Sequence, residues 1–274
     1  MQFSKIYLLV VVLFAQLALF GQNEKRIVSL APSITKNIYF LDAQNQLVGC
    51  TSYCTEALND NVEVIASAVK VNIEKTVSLL PDLVLATTIT DPETIDMFKK
   101  FGVKVAVFPT PQSFNEICDQ FLLLGSLLGK EENAKKIVDE SKAKIEHFSA
   151  KNELQNSSKI FFQIGAKPLF TVLPNTFMND YISFVGSKNI AEGMSQGTIT
   201  RESVLSHNPD VIFVVTMGII GDEEKQTWES YKGLKAADNN KVFIIDAEKA
   251  CSPTPVTFVE TLETIYSLIN QKQK

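Results

Sequence analysis

Two fifteen-residue stretches of this chain align without a gap, and that repeat limits the fold more than any other feature. The first is Asn72-Ile-Glu-Lys-Thr-Val-Ser-Leu-Leu-Pro-Asp-Leu-Val-Leu-Ala86; the second is Thr200-Arg-Glu-Ser-Val-Leu-Ser-His-Asn-Pro-Asp-Val-Ile-Phe-Val214. Each opens on a residue suited to cap a helix, Asn72 or Thr200. Each carries a Glu two positions later, Glu74 or Glu202. Each closes on Pro-Asp (Pro81-Asp82, Pro209-Asp210) before an apolar run. Proline cannot continue the helix, so the pattern reads helix, break, strand. Helix–turn–strand units can converge on such a pattern. The gapless match favours duplication of a whole lobe, and two like lobes leave a cleft between them, a usual place for a ligand.

The rest of the chain fits that reading. Strands are expected at residues 26–30, 47–51, 83–87 and 103–108, with helices at 34–41, 72–80 and 92–101. Alternation with short turns is the pattern of a parallel sheet covered by helices. The pattern then changes. Ser113 and Glu116 form an S-x-x-E capping box. The helix they open runs to about residue 128, with Phe114, Ile117, Phe121, Leu124 and Leu128 on one stripe. Gly129 ends it. A charged helix over residues 131–151 follows, with a thin apolar side of Ala134, Ile137, Val138, Ile145 and Phe148. Such a helix lies along a surface or bridges two bodies. Polar residues 152–158 make a linker, after which strands are expected at 159–164, 211–216 and 242–245, and helices at 177–185, from 202, and at 256–270. The fold class is therefore α/β: two Rossmann-like lobes with mainly parallel sheets, joined by a single long helix, with a ligand cleft between the lobes. The expected division is a signal peptide at 1–21, an N-terminal lobe at 22–112, a helical segment at 113–151 and a C-terminal lobe at 152–274.

The first twenty-one residues read as an export signal. Lys5 supplies a positive start and residues 6–20 carry no charge, matching a secretory apolar region in length and position. A transmembrane helix needs about 20 apolar residues, so an uncleaved anchor is the lesser reading. Cleavage is expected after Gly21. No cysteine precedes Cys50, so no lipidation cysteine sits there, and a Gram-negative periplasm is the expected compartment. Losing Lys5 leaves 25 basic residues against 31 acidic ones, a mature charge of −6. With no basic block, nucleic acid is not an expected partner. Cys50, Cys54, Cys118 and Cys251 are irregularly spaced and read as mostly free, buried, small hydrophobes; a Cys50–Cys54 bridge is the open alternative. The two histidines, His147 and His207, lie far apart in sequence and give little support for a metal cage. No Walker loop or dinucleotide fingerprint occurs. The expectation is therefore binding rather than catalysis, with no metal and no cofactor of the protein's own. The loop Ala31-Pro32-Ser33 follows the first strand, where a cleft would open.

The order of these parts resembles the class III periplasmic binding proteins, which serve importers of cobalamin, haem and iron–siderophores. The resemblance rests on Arg26-Ile-Val-Ser-Leu-Ala-Pro-Ser33, Val48-Gly-Cys-Thr-Ser-Tyr-Cys54, the two Glu/Pro-Asp cassettes, the charged linking helix, and Ser252-Pro253 before the last helix. Within the family, the stretch from Val48 to Tyr53 and Phe162-Gln-Ile-Gly-Ala-Lys-Pro-Leu-Phe170 look like the cobalamin-binding branch. The resemblance implies a stiff linking helix that resists hinge closure. It implies that Glu74 and Glu202, one at the tip of each lobe, pair with arginines of a permease; the bland reading is that each merely complements its helix dipole. It also implies that Tyr53 and Phe170 contact the ligand. One departure stands out. The positions where the cobalamin branch carries cleft tryptophans correspond to Ala68, Gln196 and Ala247. The expected function is that of a periplasmic substrate-binding protein, a monomer, which delivers cobalamin or a related corrinoid to an ABC permease and ATPase. Haem or an iron–siderophore is the alternative metal-chelate cargo. An exported enzyme and a scavenger without a permease are the alternatives from other classes.

Overall fold

The structure, a computed structural model, describes residues 24–67, 70–152, 158–216 and 220–271. The expected signal peptide and Ala68 lie outside these residues.

Short apolar segments become the strands of the first lobe because both their faces are covered. Its elements run β1 (Ile27–Ser29), α1 (Pro32–Phe40), β2 (Leu47–Thr51), α2 (Thr55–Asn59), β3 (Glu63–Ala66), α3 (Ile73–Ser78), β4 (Leu83–Thr87), α4 (Pro92–Lys100) and β5 (Lys104–Phe108). The sheet order is β3-β2-β1-β4-β5, parallel throughout. Ile27, Val28, Val84 and Leu85 at its centre are fully buried, as parallel strands under helices should be. The sequence pattern does not announce α2 and β3. β3 is an edge strand whose Glu63 and Val64 are exposed, so it lacks the apolar run that marks a central strand.

Two helices then cross to the second lobe, α5 (Phe114–Leu128) and α6 (Glu131–Asn152). The second lobe comprises β6 (Lys159–Ala166), β7 (Leu169–Thr171), α7 (Asn179–Phe184), β8 (Lys188–Asn189), α8 (Arg201–His207), β9 (Val211–Thr216), α9 (Ile220–Glu229), α10 (Lys235–Asp238), β10 (Val242–Asp246), α11 (Ala247–Ala250) and α12 (Pro255–Asn270). Its sheet runs β10-β9-β6-β7. β6, β9 and β10 are parallel, β8 pairs with the start of β6, and β7 is antiparallel. The two lobes are thus α/β with mainly parallel sheets.

The sequence repeat is also a structural repeat. Asn72 Oδ1 accepts from Lys75 N at 2.9 Å, and Thr200 Oγ1 accepts from Ser203 N at 3.2 Å. Both helices stop at a residue of left-handed backbone, Leu80 (φ 50°) and Asn208 (φ 45°). Asp82 Oδ2 then accepts from Arg26 N, and Asp210 Oδ2 from Lys159 N, each at 2.8 Å. Each Asp backbone N–H also donates to the same residue's carbonyl at 2.8 Å. The two Asp residues therefore fasten the end of one helix to the start of each lobe's central strand. Arg26 and Lys159 complete the arrangement by donating to the carbonyls of Leu79 and His207, at 2.9 and 3.3 Å.

One apolar core runs through both lobes. It holds Ile27, Ile34, Leu85 and Phe108 of the first lobe, the stripe of α5, and Phe162, Phe213 and Phe258 of the second. The capping box forms with a shift. Ser113 accepts from Glu116 N at 3.2 Å, while Glu116 reaches back to Gln112 N at 2.8 Å. Asp180 of α7 accepts from Phe114 N at 2.7 Å, tying the start of α5 to the second lobe; burial pushes its carboxyl above the usual range. On α6, Ala134, Val138, Ser141 and Ile145 are buried. Where α5 and α6 meet, a Cβ added at Gly125 would lie 2.4 Å from Ala134 Cβ. Helix propensity favours Ala over Gly by about 1 kcal/mol, but overpacking costs about 1–3 kcal/mol. Gly125→Ala is therefore expected to lower the thermal midpoint by a few degrees, measurable by circular dichroism; a raised midpoint would show that the helices part freely.

Candidate cleft between the two lobes

The carboxyl ends of the strands in both sheets face a common groove, where open α/β sheets place ligands. One cavity there, of about 450 Å³, lies between the lobes. The first lobe contributes Pro32, Lys36, Tyr53 and Glu56; the second contributes Ile164, Val215, Ala247, Glu248 and Cys251. A second cavity of about 510 Å³ lies along the strand ends of the first lobe, at Leu30, Thr51, Ala66 and Thr87. A third, of about 210 Å³, shares Cys251 with the inter-lobe cavity and Thr87 and Ile89 with the second.

The residues singled out from sequence distribute as follows. Tyr53 is 60 % exposed on the wall of the inter-lobe cavity, beside Pro32. Ser33 lines the third cavity. Ala31 is buried behind both, its carbonyl accepting from Ser29 Oγ at 3.1 Å. Phe170 packs on Gly197 and Gly165 and is 38 % exposed, but it lines none of these three cavities. Of the positions aligned with family tryptophans, Ala247 lines the inter-lobe cavity and Gln196 is exposed.

Sequence reasoning missed Lys36. Its ammonium lies 3.7 Å from Glu56 of its own lobe and 3.7 Å from Glu248 across the groove, and donates to the Glu248 carbonyl at 3.3 Å. The only signal was position, in the helix that follows the first strand. The walls of the two larger cavities hold two lysines, Lys36 and Lys70, against four carboxylates, Glu56, Asp91, Glu93 and Glu248. Neither His147 nor His207 lines any of the three cavities. All four cysteines are free thiols, so the Cys50–Cys54 bridge is absent. Cys54 Sγ instead accepts from Thr35 Oγ1 at 3.1 Å and sits 3.3 Å from Thr51 Oγ1. The neighbouring Cys50 thiol and these hydroxyls draw Cys54 below the ordinary thiol value, while the same contact and burial push Cys50 above it.

Glu74 and Glu202 sit in the first turns of α3 and α8, both exposed. Its own backbone N–H and the Thr200 hydroxyl hold the Glu202 carboxyl below the usual range. The neighbouring Arg201 is fixed from beneath. It donates to Glu224 Oε1 and Oε2 at 2.7 and 2.6 Å, and its guanidinium stacks 4.7 Å over Trp228. Gln163 joins the set, donating to Glu224 at 2.9 Å and accepting from Trp228 Nε1 at 2.7 Å. Trp228, the one tryptophan of the chain, is on α9 and fully buried, its ring also packing at a steep angle against Phe161 of β6.

Comparison with known proteins places the fold. The uncharacterized ABC transporter substrate-binding lipoprotein YvrC of Bacillus subtilis is 28 % identical over 89 % of this chain and 81 % of its own. A vitamin B12-binding protein of Vibrio parahaemolyticus is 23 % identical over 99 % of both chains. The crystal structure of the periplasmic heme-binding protein HutB of Vibrio cholerae superposes with a TM-score of 0.80 at 17 % identity, over 90 % of this chain and 99 % of its own. Among the described residues no helix is long and apolar enough to cross a membrane. The periplasmic binding protein model matches residues 27–249, from the first strand to the helix beside the cleft, and this chain belongs to that family.

Proposed function

We propose that this protein is the substrate-binding component of an ABC importer, that it captures an uncharged or cationic metal-chelate of the corrinoid class, and that it hands this ligand to a permease. The observation that carries the choice of ligand is the charge of the cleft. Four carboxylates outnumber two lysines there, and Lys36 is already engaged by two of them. A dianionic macrocycle or a carboxylate siderophore would meet repulsion, whereas a neutral chelate would not. Tyr53 supplies a rigid apolar face with a polar tip. The shared fold supports the class and not the cargo, since vitamin B12-binding and heme-binding proteins both resemble this chain.

The test is calorimetric titration of the processed protein with cyanocobalamin, with haemin and a ferric siderophore as comparators. The expected result is a cyanocobalamin Kd of micromolar or tighter, about 8 kcal/mol. Tyr53→Ala is expected to weaken it about tenfold, as loss of one large aromatic contact does. Tyr53→Phe keeps the ring and should keep the affinity. A second reading is favoured by one observation: Tyr53 presents an exposed phenol in the cleft, and phenolate is a known haem-iron ligand. Under that reading haemin binds and Tyr53→Phe abolishes the iron–phenolate absorption. Haemin binding without cyanocobalamin binding would overturn the corrinoid assignment.

A further inference from the structure

The Lys36 ammonium is held in the groove more by charge than by hydrogen bonds. An ammonium carries three N–H donors. One bonds the Glu248 carbonyl at 3.3 Å, an oxygen that also accepts from Ser252 Oγ at 2.6 Å. The carboxylates of Glu56 and Glu248 each stand 3.7 Å away, beyond hydrogen-bond reach. The remaining N–H donors therefore have no partner among the described residues, on a side chain only 14 % exposed. Among the described residues no hydrogen bond ends on the carboxylate oxygens of Glu56 or Glu248 either. All three residues line the inter-lobe cavity, Lys36 and Glu56 from the first lobe and Glu248 from the second. An unused donor thus stands 3.7 Å from an unused acceptor of each lobe. Polar groups left unpaired in a largely buried place are costly. The ligand group that satisfies both must accept from Lys36 and donate to a carboxylate. A primary carboxamide does so, with a C=O and an NH₂ on one carbon. A carboxylate can only accept, and its second oxygen would face Glu56 or Glu248.

We propose that Lys36, with Glu56 and Glu248, is a specificity-determining contact that reads a primary carboxamide on the ligand. The ammonium donates to the carboxamide oxygen, and a carboxamide N–H donates to Glu56 or Glu248. One positive charge between two negative ones leaves the set negative, so the same contact rejects the corresponding carboxylate by like-charge repulsion. The inference rests on the reading of the groove as the ligand site and deepens it. A corrinoid bears primary carboxamides round its ring where a haem bears propionates, and the Lys36 contact tells the two groups apart.

The test titrates the processed protein with cyanocobalamin and with its isomeric monocarboxylic acids, in each of which one propionamide is hydrolysed. One acid isomer is expected to bind about tenfold more weakly than cyanocobalamin or worse, and the others within about threefold of it. Equal weakening of every isomer would trace to the overall negative charge of the groove and overturns the local contact. Glu56→Gln combined with Glu248→Gln leaves Lys36 as the one charge of the set. The disfavoured isomer should then bind tighter than cyanocobalamin, a reversal that lost packing does not produce; an unreversed order overturns the proposal. Should that variant fail to fold, Glu248→Gln alone, at a side chain 74 % exposed, should narrow the gap to about threefold, and an unchanged gap overturns the contact. If cyanocobalamin itself does not bind, the corrinoid reading falls by itself and haemin with its bis-amide decides the inference. The bis-amide is then expected to bind about tenfold tighter, and haemin binding as tightly overturns the contact. If neither macrocycle binds, saturation-transfer NMR with benzamide and benzoate decides. Transfer to benzamide alone, abolished by Lys36→Met, is expected; transfer to both or to neither overturns it.

Discussion

Replacing Glu74 and Glu202 together by alanine is expected to reduce transport to background while leaving ligand affinity within about twofold of the wild type. The argument rests on where the two carboxylates stand. Both project from the first turn of a helix in equivalent cassettes, one per lobe, and both are exposed. Neither lines the cavities between the lobes. A carboxylate meeting a guanidinium across an interface makes two parallel hydrogen bonds. Truncating one partner of such a pair costs about 2–5 kcal/mol in association, which is roughly thirtyfold or more. Two such losses would leave the loaded protein unable to engage its permease. The bland role predicts something different. If each Glu only complements its helix dipole, the double variant is slightly less stable and transports normally. Vesicle uptake measured beside a binding titration separates the two outcomes. Full uptake by the double variant would remove Glu74 and Glu202 from the docking surface.

Trp228→Ala is expected to cost about 3–5 kcal/mol of stability, the usual loss for a fully buried large aromatic. For a chain of this length that corresponds to a midpoint lower by roughly 10 °C. The ring does more than fill space. Its Nε1–H satisfies Gln163, its face carries Arg201, and its edge meets Phe161. Without it the buried Gln163 Oε1 loses its donor and Arg201 loses one of its two supports. The consequence should reach the surface, because Arg201 adjoins Glu202 in the same helical turn. At a temperature where the variant is folded, its ligand affinity should match the wild type, the cleft being elsewhere, while its docking to the permease weakens. A loss of ligand affinity instead would show that this network supports the groove.

The cassettes were legible in the sequence because two independent rules met there: a capping residue opens each helix, and proline must end it. The apolar stripe of α5 was legible for a similar reason, since five large side chains at helical spacing leave little choice of face. What the sequence did not disclose was which polar group meets which. Asp82 and Asp210 read only as parts of a break, yet each clamps the start of a strand 56 or 51 residues away. Lys36 read as an ordinary helix residue, and its bond to Glu248 spans 212 positions. Trp228 lies on the largely charged α9, whereas its partners come from a strand and a helix remote in sequence. Periodicity reports which face of an element is covered. It carries no information about long-range polar partners, and the cleft is made of those.

The continuous core has a kinetic meaning. Side chains from the first sheet, α5, and the second sheet and its helices pack into one body, so parting the lobes means breaking packed contacts rather than bending a loop. A groove that need not shut leaves ligand entry limited by diffusion and orientation, and puts differences in affinity mainly into the rate of escape. Arrival should then follow single-exponential kinetics, first order in ligand, with no slow isomerisation phase after it. Escape, by the same reasoning, meets no reopening step, so the spontaneous release rate should equal the product of Kd and the arrival rate constant.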